Sequence, residues 1–217
     1  MAAHLAPEFR CISLDLPAHG ARAGEPFTLD AAAAAVEAVI DAAGGGRAIV
    51  VGHSLGGYVA ITVAGRSPGR VRGLVLAGAT TEPRGAAAAA FRLFAWALGA
   101  LPEGPVDALN SWWFRRRYPA EIAEPIIADG YWSRGGAEAV RAIAGTTFRD
   151  RLAAYRGPIL AINGDLDLVF RLGERSFLHG IPHVTRRVLR WTTHLSPMDR
   201  PEALASAVRA FARGLPA

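Results

Sequence analysis

The sequence predicts an α/β fold in which helices cover both faces of a mostly parallel sheet. Three observations carry this prediction: short β-branched runs alternate with helical stretches, turn residues follow each run, and one long interval contains no strand. With 217 residues, of which 51% are hydrophobic, the chain can bury a full core as one domain that carries an insertion.

Five apolar, β-branched runs are each followed by glycine, proline or acidic residues, a pattern typical of buried parallel strands. We predict strands at residues 10–14, 48–51, 73–77, 158–163 and 184–191. The first of them contains Cys11, the single cysteine, which can form neither an internal disulfide nor a cysteine-based metal site. We expect this thiol to be buried in the core.

Helices fill the intervals between the predicted strands. Thr28 is a suitable N-cap for an alanine-rich helix that reaches Ala43, and the glycines at 44–46 end that helix. These glycines precede a strand and lack the lysine of a phosphate-binding loop, so we interpret them as a helix stop. Pro201 opens a last helix.

Residues 81–150 contain no convincing strand and hold four of the five tryptophans. We predict that this interval is a helical lid inserted into a core formed by residues 1–80 and 151–217. Its apolar side chains either line a substrate pocket, since binding sites are mostly hydrophobic, or pack the lid onto the core. The side chains considered are Phe91, Phe94, Trp96, Leu98 and Leu101.

All 24 basic residues are arginines, and the formal net charge is +5. No basic stripe with base-stacking aromatics recurs along the chain, which argues against a nucleic-acid partner. The three arginines at 115–117 are expected to face solvent, with recognition of an acidic substrate or carrier protein as the alternative.

The chain contains no run of 18 uncharged apolar residues, and its first residues lack the basic and apolar segments of a leader. We therefore expect no stable membrane insertion and a cytoplasmic location. The nearly apolar run 86–101 leaves loose membrane association open, although lid packing is favoured. A homo-oligomer also remains open.

Ser54 is the most informative residue for function. It lies in Gly-His-Ser-Leu-Gly-Gly at residues 52–57, directly after a predicted strand and before a helical stretch. This order predicts a nucleophile elbow, in which the glycines two residues before and after the serine let strand and helix approach closely. The next helix would begin at Leu55, whose N–H is then one donor to a developing oxyanion.

A nucleophilic serine needs a base, and the base needs an acid that orients it. Asp165 and Asp167 follow the strand that ends near Asn163, and His194 follows the last predicted strand. Because the carboxyl ends of parallel strands meet at one edge, these side chains and Ser54 are expected to lie together.

These residues complete a set of motifs that resembles the α/β-hydrolase superfamily, in the group with a helical lid. The resemblance spans nearly the whole chain and rests on four motifs in the family's order. They are Asp-Leu-Pro-Ala-His-Gly at 15–20, the elbow at 52–57, Gly-Asp-Leu-Asp at 164–167, and His194 followed by Pro201-Glu202. In the family the last aspartate of the third motif is usually the acid, so the resemblance selects Asp167.

The resemblance implies a serine hydrolase, carboxylesterase-like, that acts on an ester, thioester or related apolar acyl substrate. Ser54 would be the nucleophile, His194 the base, Asp167 the acid and Leu55 N–H an oxyanion donor. It implies no cofactor, and because no histidines have metal-ligand spacing we expect no metal. The alternatives are a carbon–carbon hydrolase, a cofactor-free haloperoxidase, or a ligand- or partner-binding protein with weak or no turnover.

The chain departs from the family at its start. Relatives usually begin with earlier strands and a His-Gly loop that supplies a second oxyanion N–H, so we expect this chain to be N-terminally truncated relative to the family. Losing one such donor typically slows an enzyme about 100- to 1000-fold. Three explanations are open: the reading frame starts late, a partner completes the fold, or strand 10–14 pairs directly with strand 48–51.

Overall fold

The structure, a computed structural model, describes residues 1–216 and has an α/β fold, with a parallel sheet between layers of helices. The four strands are hydrogen-bonded in chain order, and every pairing is parallel. The strands are β1 (Ala48–His53), β2 (Val71–Ala77), β3 (Ile159–Gly164) and β4 (Val184–Leu189).

Eleven α-helices are present among the residues that the structure describes. They are α1 (Ala2–Leu5), α2 (Leu29–Ala42), α3 (Leu55–Arg66), α4 (Ala86–Ala100), α5 (Glu103–Arg117), α6 (Ala120–Asp129), α7 (Ser133–Ile143), α8 (Phe148–Ala154), α9 (Leu168–Phe177), α10 (Ser196–Asp199) and α11 (Pro201–Arg213). Helices α4 to α8 all lie between β2 and β3, in the interval where no strand is predicted.

The predicted helix boundaries agree with the structure where the sequence signals are strong. Thr28 Oγ1 accepts a hydrogen bond of 3.0 Å from Ala31 N–H at the start of α2. After that helix, Gly44 and Gly46 adopt positive φ angles, which suit a residue without a Cβ at a helix stop. Pro201 is the first residue of α11.

The two faces of the sheet pack against different helices because successive strand residues point to opposite sides. On one face, Leu74 and Leu76 of β2 belong to a buried cluster with Ile61 of α3 and Leu152 of α8. On the other face, Val75 joins a second cluster that includes residues of α1 and α11. This double layer leaves the carboxyl ends of the strands as the open edge of the fold.

The predicted strand at residues 10–14 is wrong. These residues belong to no helix or strand, and β1 pairs only with β2 among the residues described, so a direct pairing of this segment with β1 is wrong too. Cys11 and Ile12 are exposed, which also corrects the expected burial of the thiol. An apolar run becomes a strand only where a neighbouring strand accepts its backbone hydrogen bonds, and residues 1–216 supply no such strand for this segment.

Candidate active site

The turn after β1 has the geometry of a nucleophile elbow. Ser54 has φ 50° and ψ −118°, a sparsely populated combination for a residue with a side chain. It is the residue immediately before α3, and its N–H donates a hydrogen bond of 2.8 Å to the carbonyl of Ala77 at the end of β2. The strained serine is thus held against the carboxyl end of the neighbouring strand.

Two glycines allow strand and helix to meet so closely at this turn. A Cβ on Gly52 would lie 2.2 Å from the carbonyl oxygen of Gly56, and a Cβ on Gly57 would lie 2.3 Å from the Cβ of Ala79. A Cβ on Gly56 would meet nothing within 4 Å. The close approach therefore depends on Gly52 and Gly57, whereas the sequence motif indicated Gly52 and Gly56.

The structure brings together the three side chains that the sequence indicates. His194 Nε2 lies 2.9 Å from Ser54 Oγ, and His194 Nδ1 lies 2.8 Å from Asp167 Oδ2. The three residues follow β1, β3 and β4, so three carboxyl ends of one parallel sheet supply them.

The direction of these hydrogen bonds follows from the carboxylate. Because an ionised Asp167 only accepts, His194 donates from Nδ1 and leaves Nε2 as an acceptor for the hydroxyl of Ser54. In this tautomer the imidazole can take the serine proton while the carboxylate stabilises its positive form. Asp167 is only 5% exposed, which protects the pair from competing water.

Asp165 and Asp167 have different environments although the sequence places them two residues apart. Asp165 Oδ1 accepts a hydrogen bond of 3.0 Å from the backbone N–H of Thr192, and this and other backbone donors lower the pKa of the Asp165 carboxyl. Asp165 therefore ties the loop after β3 to the loop after β4. Asp167 is the carboxylate that contacts the imidazole.

Three residues confine the His194 ring. Phe170, at the start of α9, stacks on it with 4.8 Å between ring centroids and 11° between planes. On the β2 side, a Cβ on Gly78 would lie 2.9 Å from the ring, and Gly78 has φ 60°. Thr80 holds this arrangement because its hydroxyl donates to the carbonyl of Phe170 at 2.9 Å.

His53 supports the loop that carries the base. Its Nε2 lies 2.7 Å from the carbonyl oxygen of His194, and since a carbonyl only accepts, Nε2 must carry the proton. Burial lowers the pKa of His53 to about 4, so the ring is neutral near pH 7. This contact makes His53 a positioning residue for His194.

Asp199 is a second support, and no sequence motif indicates it. Its side chain is 1% exposed, and its Oδ2 accepts hydrogen bonds from the backbone N–H and hydroxyl of Thr193 at 2.7 and 2.6 Å. Its Oδ1 accepts from the Tyr118 hydroxyl at 2.7 Å and from Arg117 at 3.0 Å. Asp199 thereby links the loop of His194 to the end of α5, a contact that no local motif encodes.

The start of α3 adjoins Ser54. Leu55 is the first helical residue, so its N–H has no carbonyl partner one turn earlier in the helix and can donate elsewhere. The positive end of the helix dipole lies at the same place. Within residues 1–216, no group of three histidine, cysteine or acidic side chains could hold a metal ion.

The residues considered for a substrate pocket separate into two groups. Phe91 packs on Tyr58, with 6.3 Å between ring centroids, and so anchors α4 to the core. Leu98 is also partly buried, whereas Phe94, Trp96 and Leu101 are exposed.

The arginine run at 115–117 is partly neutralised by carboxylates. Arg115 pairs with Glu124 at 2.8 Å, and Arg117 pairs with Asp199. Arg116 instead lies over the ring of Trp112, with 6.0 Å from its guanidinium carbon to the ring centroid. Two of the three charges are therefore engaged within the protein.

Comparison with known proteins assigns the chain to a family. The model of the alpha/beta hydrolase family matches residues 1–207. The pimeloyl-(acyl-carrier protein) methyl ester esterase of Neisseria meningitidis serogroup C is 30% identical over 222 residues, which cover 94% of this chain and 83% of that protein. Lipase LipV of Mycobacterium tuberculosis is 43% identical over 75 residues, which cover 34% of this chain and only 29% of the lipase.

Among solved structures, a thermophilic esterase from Thermogutta terrifontis superposes with a TM-score of 0.79 at 26% identity, covering 96% of this chain and 81% of that one. No helix within residues 1–216 is long and apolar enough to cross a membrane. The family match over nearly the full length agrees with the elbow and with the strand ends that carry the site. The chain therefore belongs to the alpha/beta hydrolase family.

Proposed function

We propose that this chain is a serine hydrolase that cleaves an ester, a thioester or a related acyl substrate at Ser54. The observation that carries the proposal is the continuous pair of hydrogen bonds from Ser54 through His194 to Asp167. The strained backbone of Ser54 supports it, because such strain persists only where the surrounding structure enforces it and is concentrated at functional sites.

The first half of the reaction forms an acyl-enzyme. Ser54 Oγ attacks the acyl carbon while its proton moves to His194 Nε2, and the carbonyl electrons become a tetrahedral oxyanion. When the oxyanion collapses, the bond to the leaving alcohol or thiol breaks, and the leaving group takes the proton from Nε2. The acyl group is then an ester of Ser54, and the imidazole is neutral again.

The second half repeats these steps with water. His194 Nε2 takes a proton from water as its oxygen attacks the acyl-serine, and the proton then passes to Ser54 Oγ as the acid product leaves. Leu55 N–H and the start of α3 stabilise both oxyanions. One such donor typically contributes about 100- to 1000-fold to the rate.

The side chains around His194 support an apolar acyl substrate. Phe170 covers one side of the imidazole, and the exposed apolar side chains of Leu166, Leu168 and Val169 flank Asp167. An apolar acyl group suits these neighbours better than a charged one. The names of the esterase and lipase relatives support an ester, and helices α4 to α7 are suited to act as the lid.

The experiment is labelling with a fluorophosphonate probe, together with hydrolysis of a p-nitrophenyl ester. The wild type should be labelled and should turn over the ester, whereas Ser54→Ala should do neither. Ser13→Ala is the matched control, because Ser13 is exposed and outside the site, and it should behave as the wild type. A folded wild type that resists labelling would reject the proposal in favour of a ligand-binding protein without turnover.

A further inference from the structure

Helix α4 is apolar on all sides but buried on only one. Arg92 is the single charged side chain among its 15 residues, yet only Ala88 and Ala95 are buried. A helix that is hydrophobic around its whole circumference is normally enclosed, either by protein or by lipid. The outer side of α4 therefore exposes apolar side chains that a helix of this composition normally buries.

The exposed side chains of α4 recur at helical spacing. Leu93, Trp96 and Ala100 are three and four residues apart, so they lie on one side of the helix, and this side differs from the one that carries Ala88 and Ala95. Leu93 is 64% exposed and Trp96 is 66% exposed. The one charged side chain of α4, Arg92, lies four residues before Trp96 and so borders this side, and α4 contains no acidic residue.

Helix α5 continues the pattern and adds a cation. Leu109, Trp112 and Arg116 are spaced by three and four residues and are all exposed, with Trp113 beside them. Arg116 forms no ion pair with any carboxylate among residues 1–216. Asp107 lies two residues before Leu109 and so projects from a different side of the helix.

We propose that these two helices adsorb to an anionic lipid surface. The α4–α5 apolar surface is defined as Leu93, Trp96, Leu101, Leu109, Trp112, Trp113 and Arg116. Large exposed apolar areas usually mark interaction sites. Helices that bind at a membrane interface are enriched in tryptophan and arginine, as this surface is. The unpaired guanidinium and the lack of an acid on these sides complement an anionic headgroup.

The geometry restricts how the protein binds lipid. A helix of 15 residues is too short to cross a bilayer, so α4 and α5 must lie in the interface rather than span it. Binding requires no chemistry at Ser54. The inference is therefore independent of the proposed function, and it can be tested in a Ser54→Ala background where no lipid is hydrolysed.

The test is co-sedimentation of Ser54→Ala protein with vesicles of equal parts phosphatidylglycerol and phosphatidylcholine. Adding Leu93→Gln with Trp96→Gln, or separately Leu109→Gln with Trp112→Gln, should lower the partition coefficient by about tenfold or more. Arg116→Glu should lower binding to the mixed vesicles about tenfold and change binding to pure phosphatidylcholine little. Trp191→Gln is the matched control, because Trp191 is 68% exposed but lies on neither helix.

A second measurement does not depend on any surface variant. Brominated lipids in the vesicles should quench the tryptophan fluorescence of Ser54→Ala protein, and the quenching should weaken in the Trp96→Gln and Trp112→Gln variants but not in Trp191→Gln. Absence of quenching, or equal binding by all variants, would overturn the proposal. So would a stable dimer in light scattering that the α4 and α5 variants dissociate, because the surface would then be an interface between two copies.

Discussion

His53 Nε2 donates a hydrogen bond of 2.7 Å to the backbone carbonyl of His194, so the residue before the elbow serine holds the loop of the base. The two rings also lie close, with 5.0 Å between centroids. A single dipeptide, His53-Ser54, therefore contacts His194 both at its main chain and at its side chain. This double contact makes the geometry of the site sensitive to the protonation of His53.

The protein should lose stability in acid through His53. Burial lowers the pKa of His53 from 6.5 to about 4, so the unfolded state takes up a proton at a higher pH than the folded state does. Stability is complete above pH 6.5 and should fall by about 3 kcal/mol as the pH drops toward 4. Urea unfolding from pH 7 to 4.5 measures this, and His53→Gln, which keeps a donor, should show a flatter pH dependence. Identical pH dependences for the two proteins would contradict the prediction.

The glycines of the elbow should differ in their tolerance of alanine. Gly52→Ala and Gly57→Ala each force a Cβ against atoms closer than 2.5 Å, so each should destabilise the fold by about 3 kcal/mol. Gly56→Ala places its Cβ in open space within a helix and should be neutral or stabilising by up to about 1 kcal/mol. Thermal unfolding of the three variants compares them directly. A Gly56→Ala variant as unstable as Gly57→Ala would show that the crowding is assigned to the wrong residues.

Substitutions of the two aspartates after β3 should differ in their effect on kcat/KM. Asp167→Asn alters the partner of the imidazole and should lower kcat/KM for a p-nitrophenyl ester by roughly 10⁴-fold, as expected for loss of the orienting acid. Asp165→Asn keeps an oxygen acceptor for the Thr192 N–H and should change kcat/KM only slightly. Circular dichroism establishes that both variants fold. If Asp165→Asn lowered kcat/KM more than Asp167→Asn does, Asp165 would be the residue that orients His194.

The buried carboxylate of Asp199 should matter for both stability and rate. Asp199→Ala leaves Thr193, Tyr118 and Arg117 without their acceptor and should cost about 3 kcal/mol of stability. Tyr118→Phe removes one hydrogen bond and should cost about 1 kcal/mol. Because Asp199 holds the loop of His194, its variant should lower kcat more than it raises KM. An unchanged kcat in folded Asp199→Ala would rule out this positioning role.

The sequence predicted the sheet where local composition suffices. The apolar runs of β2 and β3 are almost entirely buried on both faces, so their composition alone reveals them, whereas four of the six residues of β4 are exposed. The segment at 10–14 has a similar composition, but a strand also needs a neighbouring strand to pair with. Whether such a neighbour exists depends on distant residues, so local composition does not reveal it. For the same reason β4 ends at Leu189, two residues before the predicted end.

The candidate site also combines features that the sequence predicts with contacts that only the structure reveals. Ser54, Asp167 and His194 each follow a strand, so order along the chain and the parallel topology suffice to bring them together. Asp199 and Gly57 act through contacts with Tyr118 and Ala79, which lie far away in the sequence. Only the packed structure reveals such contacts, and they decide how rigidly Ser54, Asp167 and His194 are held.

The long helical interval between β2 and β3 also has a consequence for folding. Strands β1 and β2 are joined through α3, and β3 and β4 through α9, so each pair can form from nearby residues. The two pairs meet only when the ends of the α4–α8 interval come together, which carries the largest entropic cost of loop closure along the chain. Ser54 belongs to the first pair, whereas Asp167 and His194 belong to the second. We therefore expect Ser54 and His194 to meet only in the last joining step, so that the proposed ester hydrolysis returns after most of the helical signal during refolding.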